Sequence, residues 1–398
     1  MRIFYYYPDE INASSGNTRR ILDFVHNLRQ QGHTVYLFSH TPAKKCADTV
    51  SEYNTILIPA PNLAGNKVID RITGTLLAFL YLIWYALKLQ PKILYVREPS
   101  YAITAAMAGL VMRCPVIMEV HEPLFADLEW LNLSKVRLFL LKLAETINFR
   151  LSARFIAITE DIRQWLHRTY KIPLKNITHI ETGANPDIYH PMDLIKSRET
   201  LGLQPDNLYI GFVGLISFWS GLEILAESAR MVIKEIPNVK FIIVGSGPTE
   251  GNIHQQVISL GLSDKFIFAG RIEWSKVPIY VNAFDVAVAP YTRRLPGNRI
   301  SRKKSCSSLK VFEYMACAKP VVVTEYEGPA KVVRDSECGL VVPIDRPDEL
   351  AKSIVMLLKN PALRQQMGIN GRNAVMGKYE WKHMAYHTGK VFLSILNK

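Results

Sequence analysis

Cysteines are few in this sequence and show no pattern that would bind a metal or form a disulfide framework. Five are scattered over 398 residues, and none belongs to a Cys-x-x-Cys pair. This argues against a structural zinc site and favours a reducing compartment, the cytoplasm. Asp-x-Asp and His-Glu-x-x-His motifs are also missing, so no metal site is predicted. The first residues lack the basic and apolar segments of a secretory signal and are expected to form a buried strand.

Glycine and proline are also modest in number, at 22 each, which excludes a fibrous or low-complexity protein. A hydrophobic content of 48% with 21% charged residues excludes a disordered chain. Single hydrophobic cores stop growing near 250–300 residues. A chain of this length therefore predicts two domains.

Acidic residues are outnumbered along the whole chain, and the formal net charge is +13. Residues 1–190 hold 21 basic and 16 acidic side chains, and residues 191–398 hold 27 and 19. Because both halves are basic, no single tail explains the excess. The balance favours polyanionic partners, which include nucleic acid, anionic lipid surfaces and phosphate-bearing substrates.

Short apolar runs alternate with longer amphipathic stretches throughout the sequence. The predicted strands are residues 3–7, 34–38, 55–58, 93–96, 116–120, 155–158, 177–180, 209–213, 240–244, 266–268, 286–289, 321–324 and 339–342. Predicted helices in the first half cover 18–31, 71–89, 101–112, 134–149 and 161–170. Continuous Val/Ile runs alternating with helices are typical of parallel sheets covered on both faces. The pattern predicts two doubly wound α/β domains.

The periodicity breaks at Pro186–Pro191, where two prolines interrupt the alternation. A domain boundary is therefore placed at residues 188 and 189. In open parallel sheets ligands bind at the carboxyl ends of the strands, so we expect the two domains to face each other across a ligand-binding cleft.

Two segments suggest contact with a membrane. Residues 72–87 carry no charge but are shorter than the roughly 20 residues that span a bilayer. A buried crossover helix, a helix partly immersed in a membrane face and a true span all remain open. Residues 133–154 mix basic with large apolar side chains, which is typical either of an interfacial helix or of a core-facing helix with a solvated basic side.

A polar loop leads into the helical run 307–316 (SSLKVFEYMA), which ends just before an apolar strand. Lys310 and Glu313 lie three residues apart and therefore share one helical face. An ammonium beside helix N-terminal amides attracts phosphate, and a carboxylate one turn further can accept hydrogen bonds from a ribose diol. The pair fits a nucleoside diphosphate, although an ordinary surface ion pair has the same spacing.

This run resembles the donor-binding helix of GT-B glycosyltransferases of family 4, whose pattern is S-P-L-K-x-F-E-Y-M-A followed by G-K-P-V-V. Further segments resemble the family in the expected order: IIVGSGP (242–248), FAGRI (268–272), VPIY (277–280), DVAVAPY (285–291), GLVVP (339–343) and YEW (379–381). The N-terminal half matches more weakly. Ser15-Gly16 stands in the place of the family's glycine loop after the first strand, and further matches are the Gly32–Val35 turn and EVHE (119–122).

The resemblance implies a metal-independent, retaining hexosyltransferase with a GT-B fold that moves a sugar from a UDP- or GDP-sugar to a glycan or lipid-linked acceptor, as in polysaccharide biosynthesis. No cofactor and no nucleic acid partner are expected. It implies an acceptor-side domain (1–188), a nucleotide-sugar domain (189–378) and a C-terminal helix (379–398) that packs back toward the first domain. The implied catalytic residues are His121, Lys310 and Glu313. The implied donor-binding residues are Gly16, Gly214, Ser220, Gly245, Arg271, Tyr291, Ser307, Ser308, Leu309, Lys310 and Glu313.

The sequence departs from the family pattern at several functional positions. Ser305 stands eight residues before Glu313, where the family has a second glutamate. Leu215 and Ser220 replace an arginine and a lysine, and Lys331 stands where an acid is usual. Residues 292–310 are predicted to form a loop, and they carry seven basic and no acidic side chains. We expect Arg293, Arg294 or Arg299 to supply the missing phosphate contact, because an arginine fork binds two phosphate oxygens at once.

Alternatives to a glycosyltransferase stay open at the level of sequence. The same scaffold could carry a nucleotide-sugar epimerase or a phosphorylase, because a fold does not fix a function. A non-enzymatic binder of anionic lipid or nucleic acid is a third possibility that depends on charge alone. A location in the cytoplasm with peripheral attachment to the inner face of the membrane is compatible with a glycosyltransferase and with a non-enzymatic binder of anionic lipid.

Overall fold

The computed structural model describes residues 1–10, 16–40, 55–58, 67–97, 103–121, 133–295, 299–300 and 308–396. The chain divides into two compact units: Met1–Glu181 with Trp381–Lys398 (unit 1), and Thr182–Glu380 (unit 2). The first boundary precedes the predicted one because the connecting residues join unit 2. Ala184 donates its N–H to the carbonyl of Tyr379 at 2.9 Å, and Tyr189 is buried in the core of unit 2.

Unit 1 is a doubly wound sheet of seven parallel strands in the order β3-β2-β1-β4-β5-β6-β7. Its strands are β1 (Arg2–Glu10), β2 (Thr34–His40), β3 (Thr55–Ile58), β4 (Ile93–Arg97), β5 (Val116–Val120), β6 (Arg154–Ala157) and β7 (Ile177–His179). Its helices are α1 (Gly16–Gln30), α2 (Lys67–Leu89), α3 (Thr104–Met112), α4 (Lys135–Leu151), α5 (Glu160–Tyr170) and the C-terminal α14 (Trp381–Leu396), which packs against α1.

Unit 2 repeats this plan with six parallel strands in the order β10-β9-β8-β11-β14-β15. The strands are β8 (Leu208–Val213), β9 (Val239–Val244), β10 (Phe266–Gly270), β11 (Val286–Ala289), β14 (Val321–Thr324) and β15 (Gly339–Val342). The helices are α6 (Leu194–Thr200), α7 (Leu222–Glu235), α8 (Glu250–Ser259), α9 (Val277–Ala283), α10 (Leu309–Ala316), α11 (Pro329–Asp335), α12 (Pro347–Lys359) and α13 (Pro361–Gly377).

Local sequence explains these elements. Strands β4, β5, β11 and β14 are buried at every position, as expected of parallel strands covered by helices on both faces. Helix α5 begins where the Thr159 hydroxyl accepts the N–H of Ile162, with Glu160 and Asp161 in its first turn. Side-chain capping and acids near the amino end both stabilise a helix start. The prediction of two doubly wound α/β domains is confirmed.

Two local predictions are corrected by the structure. Gly16, predicted in a loop, is the first residue of α1. The segment after Tyr291, predicted as a continuous loop, contains a short antiparallel pair, β12 (Arg294–Leu295) and β13 (Arg299–Ile300).

The apolar segment 72–87 lies inside α2 and is buried on one face only. Ala78 and Leu82 are fully buried, whereas half or more of the Leu76, Leu80 and Trp84 side chains is exposed. The alternative of a buried crossover helix therefore describes only this one face of α2. Among the described residues, no helix has the length and apolar content to cross a bilayer.

Helix α4 is also mostly exposed. Its core-facing character is confined to the C-terminal half, where Glu145, Asn148 and Phe149 are buried. The apolar side chains of its first half, including Phe139, lie exposed at the surface. The core-facing alternative therefore holds only for the second half of α4.

Candidate functional site

The connections of unit 2 leave the sheet in opposite directions from β8 and its neighbour β11. Ligands of open α/β sheets bind at such a point, outside the carboxyl ends of the strands. Here the chain approaches itself closely: Gly245 (φ 131°) lies so near Gly214 that a Cβ would come within 1.9 Å of the Gly214 carbonyl oxygen. Both predicted glycines therefore build the turns that form this edge.

Lys310, the second residue of α10, reaches the same edge. Its Nζ lies 3.9 Å from the ring centroid of Phe212 and 5.2 Å from that of Tyr291, at the ends of β8 and β11. A Cβ at Gly214 (φ 144°) would lie 2.9 Å from this ammonium. The aromatic faces attract the cation electrostatically, so Lys310 is restrained beside the ends of β8 and β11.

Glu313 lies one turn further along α10 and is partly buried. Burial raises its pKa to about 7, against the opposing effects of a hydrogen bond with Tyr189 and of the Lys310 charge. The carboxyl group is thus poised between its two protonation states at neutral pH. A group with such a pKa at the ligand-binding edge of a sheet is a candidate functional residue.

Three contacts of unit 2 fix the position of α10. The Val213 N–H at the end of β8 donates to the Tyr314 hydroxyl at 2.7 Å. The Phe312 ring packs on Tyr379, with 5.1 Å between centroids. At the helix start, the hydroxyls of Ser308 and Tyr291 are hydrogen-bonded at 2.6 Å, so the serine that replaces the family proline anchors the helix to the end of β11. Leu309 begins α10, and Ser307 lies outside the described residues.

The loop from Gly214 to Gly221 contains the two positions at which the family has an arginine and a lysine. Leu215 is 53% exposed, whereas Ser220 is buried and its hydroxyl donates to the Ser217 carbonyl. The Ser220 hydroxyl is thus already used inside the protein. Arg271 follows β10 directly and is exposed.

The predicted arginines of the basic segment lie in different surroundings. The Thr292 N–H donates to the Trp219 carbonyl at 3.2 Å, which places Arg293 beside the loop that lacks cations. Arg294 contacts the carboxylates of Glu227 and Asp345, at 3.3 and 3.7 Å. Arg299 lies exposed on β13. Ser305 and the remaining basic residues at 302–304 lie outside the described residues.

In unit 1, His121 follows β5 directly and both of its ring nitrogens are engaged. An Arg20 guanidinium nitrogen lies 3.1 Å from Nδ1, and Glu119 Oε1 lies 2.5 Å from Nε2. A guanidinium can only donate, so Nδ1 accepts and Nε2–H donates to Glu119. The geometry therefore fixes one tautomer of the neutral ring.

Charge and burial keep this cluster in one protonation state. Burial and the charges of Arg20 and Arg97 lower the pKa of His121 to about 3. Burial alone would raise the pKa of Glu119, but Arg20, His121 and Arg97 hold it below its usual range. Arg20 also lies over the Trp381 ring, 5.5 Å from its centroid. His121 is thus an uncharged, oriented hydrogen-bonding group.

Sequence reasoning missed three residues that organise these sites. Tyr189 contacts Glu313 from far away in the sequence, and Arg20 and Glu119 orient His121. Glu119 was visible as an acid in a buried strand two residues before a histidine. Of the residues that the structure describes, no group of three or more His, Cys, Asp or Glu could hold a metal ion.

Two family models match the chain. Glycosyltransferase Family 4 matches residues 14–188, and Glycosyl transferases group 1 matches residues 194–374. Together they cover most of both units.

Curated relatives and solved structures agree with these matches. The chain is 24% identical to the alpha-D-kanosaminyltransferase of Streptomyces kanamyceticus over 68% of each chain. It is 27% identical to D-inositol 3-phosphate glycosyltransferase 2 of Catenulispora acidiphila, over 60% of this chain and 55% of the relative.

Whole-chain folds are similar as well. Sucrose-phosphate synthase from Thermosynechococcus elongatus has a TM-score of 0.79 at 20% identity, over 100% of this chain and 99% of that one. Anabaena HepE in complex with UDP and glucose has a TM-score of 0.77 at 17% identity, over 99% and 100%. Both family models, the named relatives and the shared GT-B fold indicate a glycosyltransferase. The chain belongs to family 4 of the glycosyltransferases and is an enzyme of the hexosyltransferase class.

Proposed function

We propose that this enzyme transfers a sugar from a UDP- or GDP-sugar to a glycan or lipid-linked acceptor, with retention of anomeric configuration and without a metal ion. The observation that carries the proposal is the placement of Lys310 and Glu313 at the carboxyl edge of β8 and β11. Solved structures of similar fold include HepE in complex with UDP and with UDP-glucose, which supports a nucleotide-sugar donor.

The leaving diphosphate needs positive charge at the moment the glycosidic bond breaks. The Lys310 ammonium and the positive N-terminal end of the α10 dipole supply a fixed positive potential that requires no reorganisation. The ribose diol donates to Glu313, which must be ionised to accept both hydrogen bonds. We propose that Gly214 and Gly245 admit the diphosphate close to the backbone.

Metal independence follows from the same groups, which neutralise the leaving group without carboxylate-bound Mg²⁺. The expected result is full activity in the presence of a chelator. Activity that is lost with EDTA and restored by Mg²⁺ would contradict this part of the proposal.

We further propose that Arg293 takes the role of the absent family arginine. It follows Thr292, which is hydrogen-bonded to the loop that has Leu215 and Ser220 in place of the cations. Arg294 is held by two carboxylates, so we expect the donor KM to rise more in Arg293→Ala than in Arg294→Ala or Arg299→Ala. Unchanged kinetics in all three variants would exclude the proposal that one of these arginines takes the role of the absent family arginine.

In unit 1 we propose that His121 contacts the transferred sugar as a neutral hydrogen-bonding group. Its Nε2–H would be shared between Glu119 and a sugar hydroxyl. Gly16, at the start of α1, is proposed to lie near the donor, and unit 1 is proposed to bind the acceptor. A lipid-linked acceptor would place the enzyme at the inner face of the membrane.

A thermal-shift comparison of UDP, GDP and ADP tests the donor site. A ligand at 100 times its Kd stabilises a protein by about 2.7 kcal/mol, which one nucleotide should produce. Lys310→Ala and Glu313→Gln should abolish the shift. The exposed pair Glu349 and Lys352, three residues apart on α12, provides matched controls as Glu349→Gln and Lys352→Ala. A shift that survives in the first two variants would refute the site.

The stereochemical outcome needs a separate measurement. The anomeric configuration of the first-formed product, followed by proton NMR with the preferred donor, should equal that of the donor sugar. An inverted product would refute retention while leaving the donor site intact.

A further inference from the structure

Helix α2 presents an uninterrupted apolar stripe to solvent. Leu76, Leu80, Trp84 and Leu87 recur at intervals of three and four residues and are all more than half exposed. The opposite face, with Ala78, Leu82 and Ala86, is buried against the sheet. A surface helix normally has polar residues on its outer face, so the folding of unit 1 does not account for this stripe.

The stripe continues on the neighbouring helices, because α2 packs against α3 and α3 packs against α4. Leu110 and Val111 of α3 are exposed, as are Phe139 and Leu140 of α4, where Phe139 is 65% exposed. We call the exposed apolar side chains of α2, α3 and α4 the three-helix surface. Isolated exposed apolar residues are ordinary, but a contiguous set marks an interaction surface.

Among the residues that the structure describes, the charges around this surface have one sign. Its exposed ionic side chains are Lys88, Arg113, Lys135, Arg137, Lys142 and Arg150. Residues 72–89, 104–113 and 135–151 contain a single acid, Glu145, which is buried and hydrogen-bonded to Tyr170. Lysine and arginine extend their charged ends from an apolar surface into a polar boundary.

Trp84 and Lys88 combine these two properties in one place. The Lys88 ammonium lies 3.5 Å from the centroid of the Trp84 ring, and the ring itself is 51% exposed. Tryptophan with a neighbouring lysine suits the level of lipid headgroups, where an apolar ring meets water and anions.

A second copy of the chain fits this surface poorly. A two-fold dimer brings the same patch of both copies together. The cations of one copy would then face those of the other, and the described residues of the surface include no exposed acid to pair with them. An anionic bilayer supplies both an apolar interior and negative headgroups. We propose that the three-helix surface docks unit 1 peripherally onto an anionic lipid bilayer, with Leu80, Trp84 and Phe139 inserted at the acyl boundary.

The proposal gives a physical basis for a membrane-bound acceptor but does not depend on the donor site. Flotation of the full-length protein tests it, with phosphatidylcholine vesicles that contain or lack phosphatidylglycerol. The wild type should float with the anionic vesicles and be released by salt, because basic residues near the surface act through screened charge. Arg137→Glu should weaken binding about fivefold or more.

Trp84→Glu and Phe139→Glu should each weaken vesicle binding by at least about tenfold. Ile258→Glu and Met356→Glu, which change exposed apolar residues of unit 2, should float like the wild type. Unchanged melting transitions show that the variants are folded, and unchanged nucleotide shifts separate a failure of docking from a failure of the donor site.

Three outcomes would overturn docking. The wild type could remain entirely in the soluble fraction at low salt, or all variants could float equally. Alternatively, light scattering could detect a dimer that Trp84→Glu dissociates in a protein that does not bind vesicles, which would assign the surface to self-association.

Discussion

Replacing Glu313 by glutamine should stabilise the free enzyme while removing donor binding. Burial holds the pKa of this carboxyl at about 7 rather than 4.5, so above neutral pH the folded protein carries a charge that burial disfavours. One pKa unit corresponds to about 1.4 kcal/mol, so the raised pKa costs up to about 3 kcal/mol at pH 8. Glutamine removes the charge and can still accept the hydrogen bond from Tyr189.

The sign of the pH dependence distinguishes this explanation from a general packing effect. A raised pKa means that folded Glu313 holds its proton where the unfolded residue loses it, so the wild type loses stability as the pH rises from about 4.5 to 7. The advantage of Glu313→Gln should therefore be small at pH 5 and full at pH 8. For a unit of this size, 1 kcal/mol shifts Tm by about 2–4 °C, so a gain of several degrees is expected.

Differential scanning calorimetry between pH 5 and pH 8 measures this effect, and Glu349→Gln, at an exposed position of α12, serves as the control. Donor binding is measured separately by the nucleotide thermal shift, and Glu313→Gln should show no such shift at any pH. In the wild type, kcat/KM for the donor should rise through pH 7 as the carboxyl ionises. A variant whose stability relative to the wild type is equal at pH 5 and pH 8 would refute the reasoning.

Four further predictions concern the framework of the two sites. Tyr314→Phe should destabilise unit 2 by about 1–3 kcal/mol in chemical denaturation, because the Val213 N–H loses its acceptor; a cost below the error of the measurement would contradict this. Gly245→Ala should abolish folding or nucleotide binding because its Cβ would meet the Gly214 carbonyl, whereas Gly251→Ala, which has open space, should behave like the wild type. Nitrogen-15 NMR should show the His121 ring neutral and protonated at Nε2 from pH 5 to 8, since its pKa is about 3; a midpoint near 6.5 would contradict the geometry. Unit 1 should lose stability as the pH falls below about 6.5, because the unfolded histidine gains a proton that the folded one excludes, and His121→Gln should flatten this dependence in thermal melts.

The parallel strands were predictable because their apolar runs are short, continuous and separated by amphipathic segments. Runs such as 286–289 and 321–324 coincide with β11 and β14. Helix α10 was predictable because the residues that form it are adjacent in sequence, and Lys310 and Glu313 lie one turn apart on it as their spacing predicts. Gly16 was assigned to a loop because a glycine after a strand is typical of a turn, and hydrophobic periodicity does not locate the first residue of a helix to within one or two positions.

Contacts distant in sequence could not be predicted in the same way. Nothing local links Tyr189 to Glu313 or Arg20 to His121, because these pairs meet only after strands separated by whole crossovers have aligned. The sequence also left open how far α2 is buried, since an uncharged apolar segment fits both a buried helix and one with an exposed apolar face. Only the packing of the sheet beneath Ala78 and Leu82 decides which side of α2 is covered.

The contacts of Lys310 with two aromatic rings bear on how such an enzyme can change its specificity. Immobilising a free lysine side chain costs up to about 2 kcal/mol of rotamer entropy. Here the rings of Phe212 and Tyr291 restrain the ammonium. Much of this side-chain entropy is therefore lost on folding and not on ligand binding. In the proposed donor site, such a preorganised cation would contact the diphosphate and not distinguish between the hexoses attached to it. Changes in the surrounding loops could therefore alter the sugar and acceptor preference while Lys310 and its aromatic contacts stay unchanged.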